Sequence, residues 1–175
     1  IGEAAGFALL ERPERAATHS GIALLGYGES SDAYHMSTPH PEGEGAALAM
    51  QRALASAGLE PAAIDYINMH GTASQVNDSM EDKAIRAVFG TTTPCSSTKG
   101  WTGHALGAAG ITEAVISALC IENGLMPGCL NTRHLDPTFT SQVLLTNRHA
   151  PVRRVLSNSF GFGGSNASII LGAFE

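Results

Sequence analysis

Residues 155–174 read VLSNSFGFGGSNASIILGAF. Two apolar runs, 155–159 and 167–174, flank a stretch with three glycines and two phenylalanines, the pattern of two strands joined by a tight turn. Such a hairpin needs a layer to pack on, and the upstream sequence supplies one. Residues 104–122 read as a helix that is apolar on nearly all sides and therefore buried, with Gly107, Ala108, Ala109 and Gly110 small enough to lie close against a sheet. Residues 93–98 form a short strand or turn. Residues 80–89 (MEDKAIRAVF) are an amphipathic helix stopped by Gly90, and 64–69 (IDYINM) alternate as a strand. Residues 46–57 are helical, with Gly58 as C-cap. Residues 29–45 are a Ser/Pro/Gly-rich loop, and 4–10 with 21–27 read as an antiparallel strand pair. Residues 127–131 and 143–146 are short extended pieces. Strand, helix, strand, helix and a closing hairpin predict an α/β fold layered around a mixed sheet.

Composition narrows the function classes. The 175 residues suffice for one core of ordinary domain size. Net charge is −6 with only two lysines, Lys83 and Lys99, which argues against a nucleic-acid binder. Cys95, Cys120 and Cys129 form no CxxC pair, so neither a disulfide framework nor a metal cluster is expected, and reduced thiols point to a cytoplasmic compartment. The longest apolar run, 105–119, is broken by Gly107, Gly110, Thr112 and Glu113, so no membrane partner is expected. The chain starts at Ile1 without a signal-peptide pattern and opens on a strand-like segment, which reads as part of a longer polypeptide.

A few residues carry chemistry. His70 ends a strand, followed by Gly71 and Thr72. Ligand sites in open α/β sheets gather there, although a loop histidine with an ordinary hydrogen bond fits the same pattern. His104 stands at the start of the long apolar helix, where the helix dipole disfavours imidazolium; exposure to water is the plainer alternative. Lys99, in the small uncharged stretch CSSTKG, calls for a carboxylate partner unless it is a surface lysine, and Asp78 and Glu81 are the candidates. The turn Phe160-Gly-Phe162-Gly-Gly can present backbone N–H groups to an oxyanion or can simply close the hairpin. Cys120 reads as a core residue, and none of the three cysteines has a base nearby in sequence. His35 and His40 lie in a polar loop, and Trp101 reads as packing.

HGTAS (70–74), STKGWTGHALGAAG (97–110) and SNSFGFGGSNAS (157–168), in that order, resemble three motifs of the β-ketoacyl synthases, condensing enzymes of the thiolase-fold superfamily. GYGESSDAYHM (26–36) resembles a loop of the elongating bacterial enzymes. The resemblance covers essentially the whole chain. It implies a thiolase-like fold in which residues 1–29 are the terminal hairpin of an N-terminal repeat. Residues 30–175 are then a C-terminal βαβαβαββ-type repeat with a mixed five-stranded sheet. It implies decarboxylative condensation of malonyl-carrier protein with an enzyme-bound acyl thioester. The expected partners are an acyl carrier protein, the N-terminal half of the same enzyme and a second copy in a homodimer. No cofactor is expected beyond the phosphopantetheine that the substrates carry.

Residue by residue, the resemblance makes His70 and His104 the pair that holds the malonyl thioester carbonyl. Lys99 is the motif lysine, with Glu81 its expected partner and Asp78 a second acidic position. Phe162 matches the gating phenylalanine, with Phe160 beside the cavity. Thr72 and Ser74 match the hydroxyls that bind pantetheine, with serine where threonine is usual. Asp32, His35 and Thr38 lie on a loop expected to move with the Phe162 loop. Asn77 replaces a usual glycine before Asp78. The family's nucleophilic cysteine has no counterpart here, so the isolated chain is expected to be inactive. A non-catalytic partner of the chain-length-factor kind is the second reading. Such partners often lose one or both histidines, and both stand here.

Overall fold

The computed structural model describes residues 1–15 and 21–174. Its elements in chain order are β1 (Ile22–Ser31), α1 (Glu44–Ala57), β2 (Tyr66–Asn68), α2 (Gln75–Phe89), β3 (Pro94–Ser96), α3 (Lys99–Thr102), α4 (Ala109–Asn123), β4 (Leu125–Met126), β5 (Gln142–Val143), β6 (Arg148–His149), β7 (Arg154–Gly161) and β8 (Ser165–Ala173). Six strands form one mixed sheet in the order β1-β8-β7-β2-β3-β5, and β4 pairs with β6 separately. Strands β7, β2, β3 and β5 run parallel, whereas β8 and β1 are antiparallel additions.

The three residues of β2 are all buried, as a central parallel strand covered on both faces must be. Alternation along the strands sends Ile67, Cys95 and Leu156 to one face, where Met50 and Leu54 of α1 and Met80 and Ile85 of α2 complete a core. Tyr66 and Val155 point to the other face and pack with Cys120 of α4, Met126 and Leu144. Each fully buried aliphatic side chain in these layers contributes about 1.5–3 kcal/mol relative to exposure. Helix α1 lies so close to β1 that a Cβ at Gly28 would stand 2.1 Å from the Ala49 carbonyl oxygen, so the contact requires glycine.

The structure corrects several expectations. Residues 4–10 form no strand, so the predicted hairpin with residues 21–27 is absent; part of its connecting turn lies outside the described residues. β1 instead pairs with β8 along its length and makes the expected five-stranded sheet six-stranded. β8 would otherwise present an open edge, and β1 satisfies its N–H and C=O groups. The helix expected from 104 is broken. α3 ends at Gly103 (φ 72°), a short 3₁₀ turn spans Leu106–Ala108, and α4 starts only at Ala109.

α4 is also not buried all round. Its inward stripe is Ala109, Glu113, Ser117 and Cys120, while Val115 and Leu119 are about half exposed. By length and composition alone residues 106–123 could cross a membrane, but the inward stripe packs on β7 and β8 and carries a buried carboxylate.

Candidate active site

The C-terminal ends of β2 and β7 converge on one cavity of about 810 Å³. His70, Thr72, Ser74, Asn77, His104, Phe160, Phe162 and Asp32 all line it. His70 follows β2 directly, His104 lies between α3 and α4, and Phe160 ends β7. The imidazoles of His70 and His104 meet edge to face with ring centroids 5.4 Å apart, and the Phe160 ring stands 5.5 Å from His70.

Both histidines are set to donate from the same nitrogen. The Lys99 ammonium lies 3.4 Å from His70 Nδ1 and donates to the His70 carbonyl oxygen. The backbone N–H of Leu106 donates to His104 Nδ1 at 3.2 Å. A donor against each Nδ1 leaves the proton on Nε2, making each ring a neutral N–H donor on its other side. Burial first, then the Lys99 charge and then His104, push His70 down to about 3. Burial and Lys99 also lower His104. Because α4 starts five residues after His104, burial and Lys99 rather than a helix dipole keep this ring neutral.

The ion pair differs from the expected one. Lys99 pairs with Glu113 of α4, not with Glu81, and both side chains are almost wholly buried. Glu81 is fully buried and spends its carboxylate on the chain itself. Its oxygens accept the N–H groups of His70 and Gly71, each at 2.8 Å, and the Asn158 amide at 3.1 Å. A carboxylate already saturated by three donors gains less from Lys99 than Glu113 does, whose burial raises its pKa and whose main opposing influence is Lys99. Burial also raises Glu81, to about 7, against those donors. Nearby, the side chains of Asn68 and Thr98 and the second oxygen of Glu113 are buried without a hydrogen-bond partner among the described residues.

Glu113 escaped sequence reasoning as the partner of Lys99, although a charge in the middle of an apolar helix was a readable signal. Asn158 escaped too. It joins Glu81 to Ser168 and so ties β8 to the loop after β2.

The hairpin turn at Phe162–Gly164 is fastened to the loop after β1. The Asp32 N–H donates to the Gly164 carbonyl, the Gly163 N–H donates to the Met36 carbonyl, and the Asn166 amide donates to the Asp32 carboxylate. Gly163 and Gly164 take φ values of 86° and 77°, which side-chain-bearing residues rarely adopt. Asp32 and Thr38 line the cavity; His35 does not, being exposed and bonded within its own loop to Ser37. Phe162 is 87% exposed at the cavity mouth. The Thr72 and Ser74 hydroxyls stand 3.1 Å apart on its wall. Burial raises all three thiols, Cys120 to about 11, which disfavours the thiolate that a nucleophile needs.

Known proteins resemble this chain in sequence and fold. The mitochondrial 3-oxoacyl-[acyl-carrier-protein] synthase of Arabidopsis thaliana is 46% identical over 97% of this chain and 39% of its own length. The 3-oxoacyl-[acyl-carrier-protein] synthase 2 of Coxiella burnetii is 39% identical over 98% of this chain and 43% of its own. The chain thus spans about two fifths of these relatives. Among solved structures, a ketosynthase in complex with its chain length factor from Xenorhabdus doucetiae superposes with a TM-score of 0.83 at 51% identity, covering 86% of this chain and 39% of that one. A β-ketoacyl synthase from Burkholderia phymatum superposes with a TM-score of 0.83 at 36% identity, covering 93% of this chain and 40% of that one. Residues 22–133 match the family described as β-ketoacyl synthase, C-terminal domain, and the chain belongs to that family.

Proposed function

We propose that this chain is the C-terminal part of a 3-oxoacyl-[acyl-carrier-protein] synthase, in which His70 and His104 stabilise the enolate of a decarboxylating malonyl thioester. The observation that carries the reading is the 5.4 Å approach of two imidazoles whose Nδ1 atoms each face a donor, leaving two Nε2–H groups for one oxygen. When the malonyl C–CO₂ bond breaks, its electron pair moves into the thioester and the carbonyl oxygen becomes negative. Fixed neutral donors aimed at that oxygen lower the barrier. The enolate carbon then attacks an acyl group held as a thioester on a cysteine of the remaining chain. The cysteine leaves as thiolate, and the product is a 3-oxoacyl chain two carbons longer.

Thr72 and Ser74 offer hydroxyls to the pantetheine arm. The paired loops at Asp32 and Phe162 guard the entrance. An acyl carrier protein, the other half of the enzyme and a second copy of it belong to the same reading, as does a cytoplasmic location; the Arabidopsis relative is named mitochondrial. One solved neighbour, at 31% identity, holds a type II polyketide acyl carrier protein with its ketosynthase.

The test is condensation by the full-length protein with acyl- and malonyl-carrier protein, run beside this segment alone. The expected result is a two-carbon extension by the full-length protein and none by the segment. A full-length protein carrying glutamine at the nucleophile position and extending nothing would instead support the chain-length-factor reading.

A further inference from the structure

We propose that Asn77 is a positioning residue for substrate binding, fastening the Asp78 carboxylate against the turn at residues 72–74 and so fixing the two hydroxyls offered to the pantetheine arm. The inference rests on the function proposed above. Asn77 lies in the first turn of α2. It is 9% exposed and lines the cavity wall together with Thr72 and Ser74.

Its amide N–H donates to Asp78 Oδ1 at 3.1 Å. Neighbouring residues on a helix do not ordinarily face one another, so this contact holds only because Asp78 folds back towards the preceding turn. There the backbone N–H groups of Ala73 and Thr72 also act on the carboxylate.

The turn itself needs such a fastener. Ala73 takes φ 62°, a left-handed conformation that a residue with a Cβ keeps only where its surroundings fix it. Gly71, one residue before Thr72, is held from both sides by the Glu81 carboxylate and the Ser97 hydroxyl. Ser74 occupies the cap position of α2, yet its hydroxyl makes no capping bond and stays with Thr72 on the cavity wall. Without the Asn77 amide, Asp78 would lose its side-chain donor, and the geometry of both substrate-facing hydroxyls depends on this part-buried hydrogen bond.

The same bond makes a pH signature. Burial raises the Asp78 pKa, and the Asn77 N–H is the foremost influence that lowers it again, ahead of Ala73, Thr72 and Lys99. Lys99 and the Cys129 thiol are the titratable groups that face Asp78 from neighbouring elements among the described residues. Removing the Asn77 amide therefore raises Asp78 further.

The experiment is steady-state kinetics of the full-length protein with malonyl-carrier protein between pH 5 and 8, comparing the parent with Asn77→Ala, Asn77→Asp and Asp78→Asn. N77A should raise KM about three- to ten-fold with kcat within about two-fold, the loss of one hydrogen bond read as binding. Its acidic limb of kcat/KM should move to higher pH. N77D, which adds a like charge beside Asp78, should move it further, and D78N should abolish it. An N77A variant with the parent's KM and acidic limb overturns the proposal. So does a lowered melting temperature with KM unchanged, or a limb that survives in D78N. A parent that condenses nothing overturns the proposed function, and this inference with it.

Discussion

Lys99 is the residue on which the cavity turns. Its ammonium faces Nδ1 of His70, bonds the His70 carbonyl and is neutralised from behind by Glu113. The pair has left water, so its two members depend on each other. Removing one partner of a buried ion pair typically costs about 3–5 kcal/mol because the other charge stays behind. Glu113→Gln in the full-length protein should therefore lower stability by about 3 kcal/mol in urea denaturation, and a loss under about 0.5 kcal/mol would show that the pair is solvated.

His70 adds a pH dependence whose sign is fixed. Its folded pKa, about 3, lies below the ordinary value of 6.5. Between those values the unfolded chain binds a proton that the folded chain refuses. The contribution is thus fully present above pH 6.5 and is lost as pH falls towards 3, at up to about 1.4 kcal/mol per pH unit. His70→Asn should flatten stability across that window relative to the parent, and an unchanged slope would place the titration elsewhere.

At the scale of elements, the packing of α1 on β1 is the least tolerant contact. A methyl group at Gly28 would meet the Ala49 carbonyl and the Ala53 nitrogen, both backbone atoms that can move only with the helix. Gly28→Ala should cost about 1–3 kcal/mol, as overpacking does, read as a shifted denaturation midpoint at constant m value. An equally stable variant would mean that α1 sits farther from the sheet.

The elements also show where the sequence was legible. The β7–β8 hairpin, α1 with its Gly58 cap and the strand before His70 follow from local pattern, because periodicity and glycine placement act within a few residues. The start of α2 was not legible, since SQVND (74–78) is polar and serves the cavity instead of the core. The partner of β1 is more than 130 residues away in sequence, and no local signal encodes such a pairing. α4 was misjudged for a related reason. Glu113 and Ser117 point inward while Val115 and Leu119 point outward, so hydrophobicity alone does not locate the buried face. His70, His104 and the cavity phenylalanines line the cavity as expected, whereas the Lys99 partner was assigned to Glu81 upstream rather than to Glu113, which is nearer in sequence but sits inside an apolar helix.

The molecule as a whole has two unlike ends. The cavity opens at the C-terminal ends of β2 and β7, while Arg153 and Arg154 stand at the opposite end of β7 and Arg148 lies in β6 of the small second sheet. Under the proposed function, a carrier protein delivering a thioester to His70 would have no reason to bind there. Reversing those three charges in the full-length protein should change carrier affinity less than about two-fold, and abolished binding would put the docking face on this half. Phe7, Leu9, Leu10, Leu24, Tyr27, Val115 and Leu119 are exposed apolar side chains. They fit a chain that spans two fifths of its relatives.

The central claim is that His70 and His104 serve one oxygen. The direct measurement is malonyl decarboxylation by the full-length protein and its His70→Ala and His104→Ala variants, with acylation of the nucleophile followed in parallel. Each substitution removes a donor to the enolate, so decarboxylation should fall by about 10²–10³-fold in both variants while acyl transfer falls far less. Decarboxylation that persists in either variant, or acylation that collapses in step with it, would contradict the account.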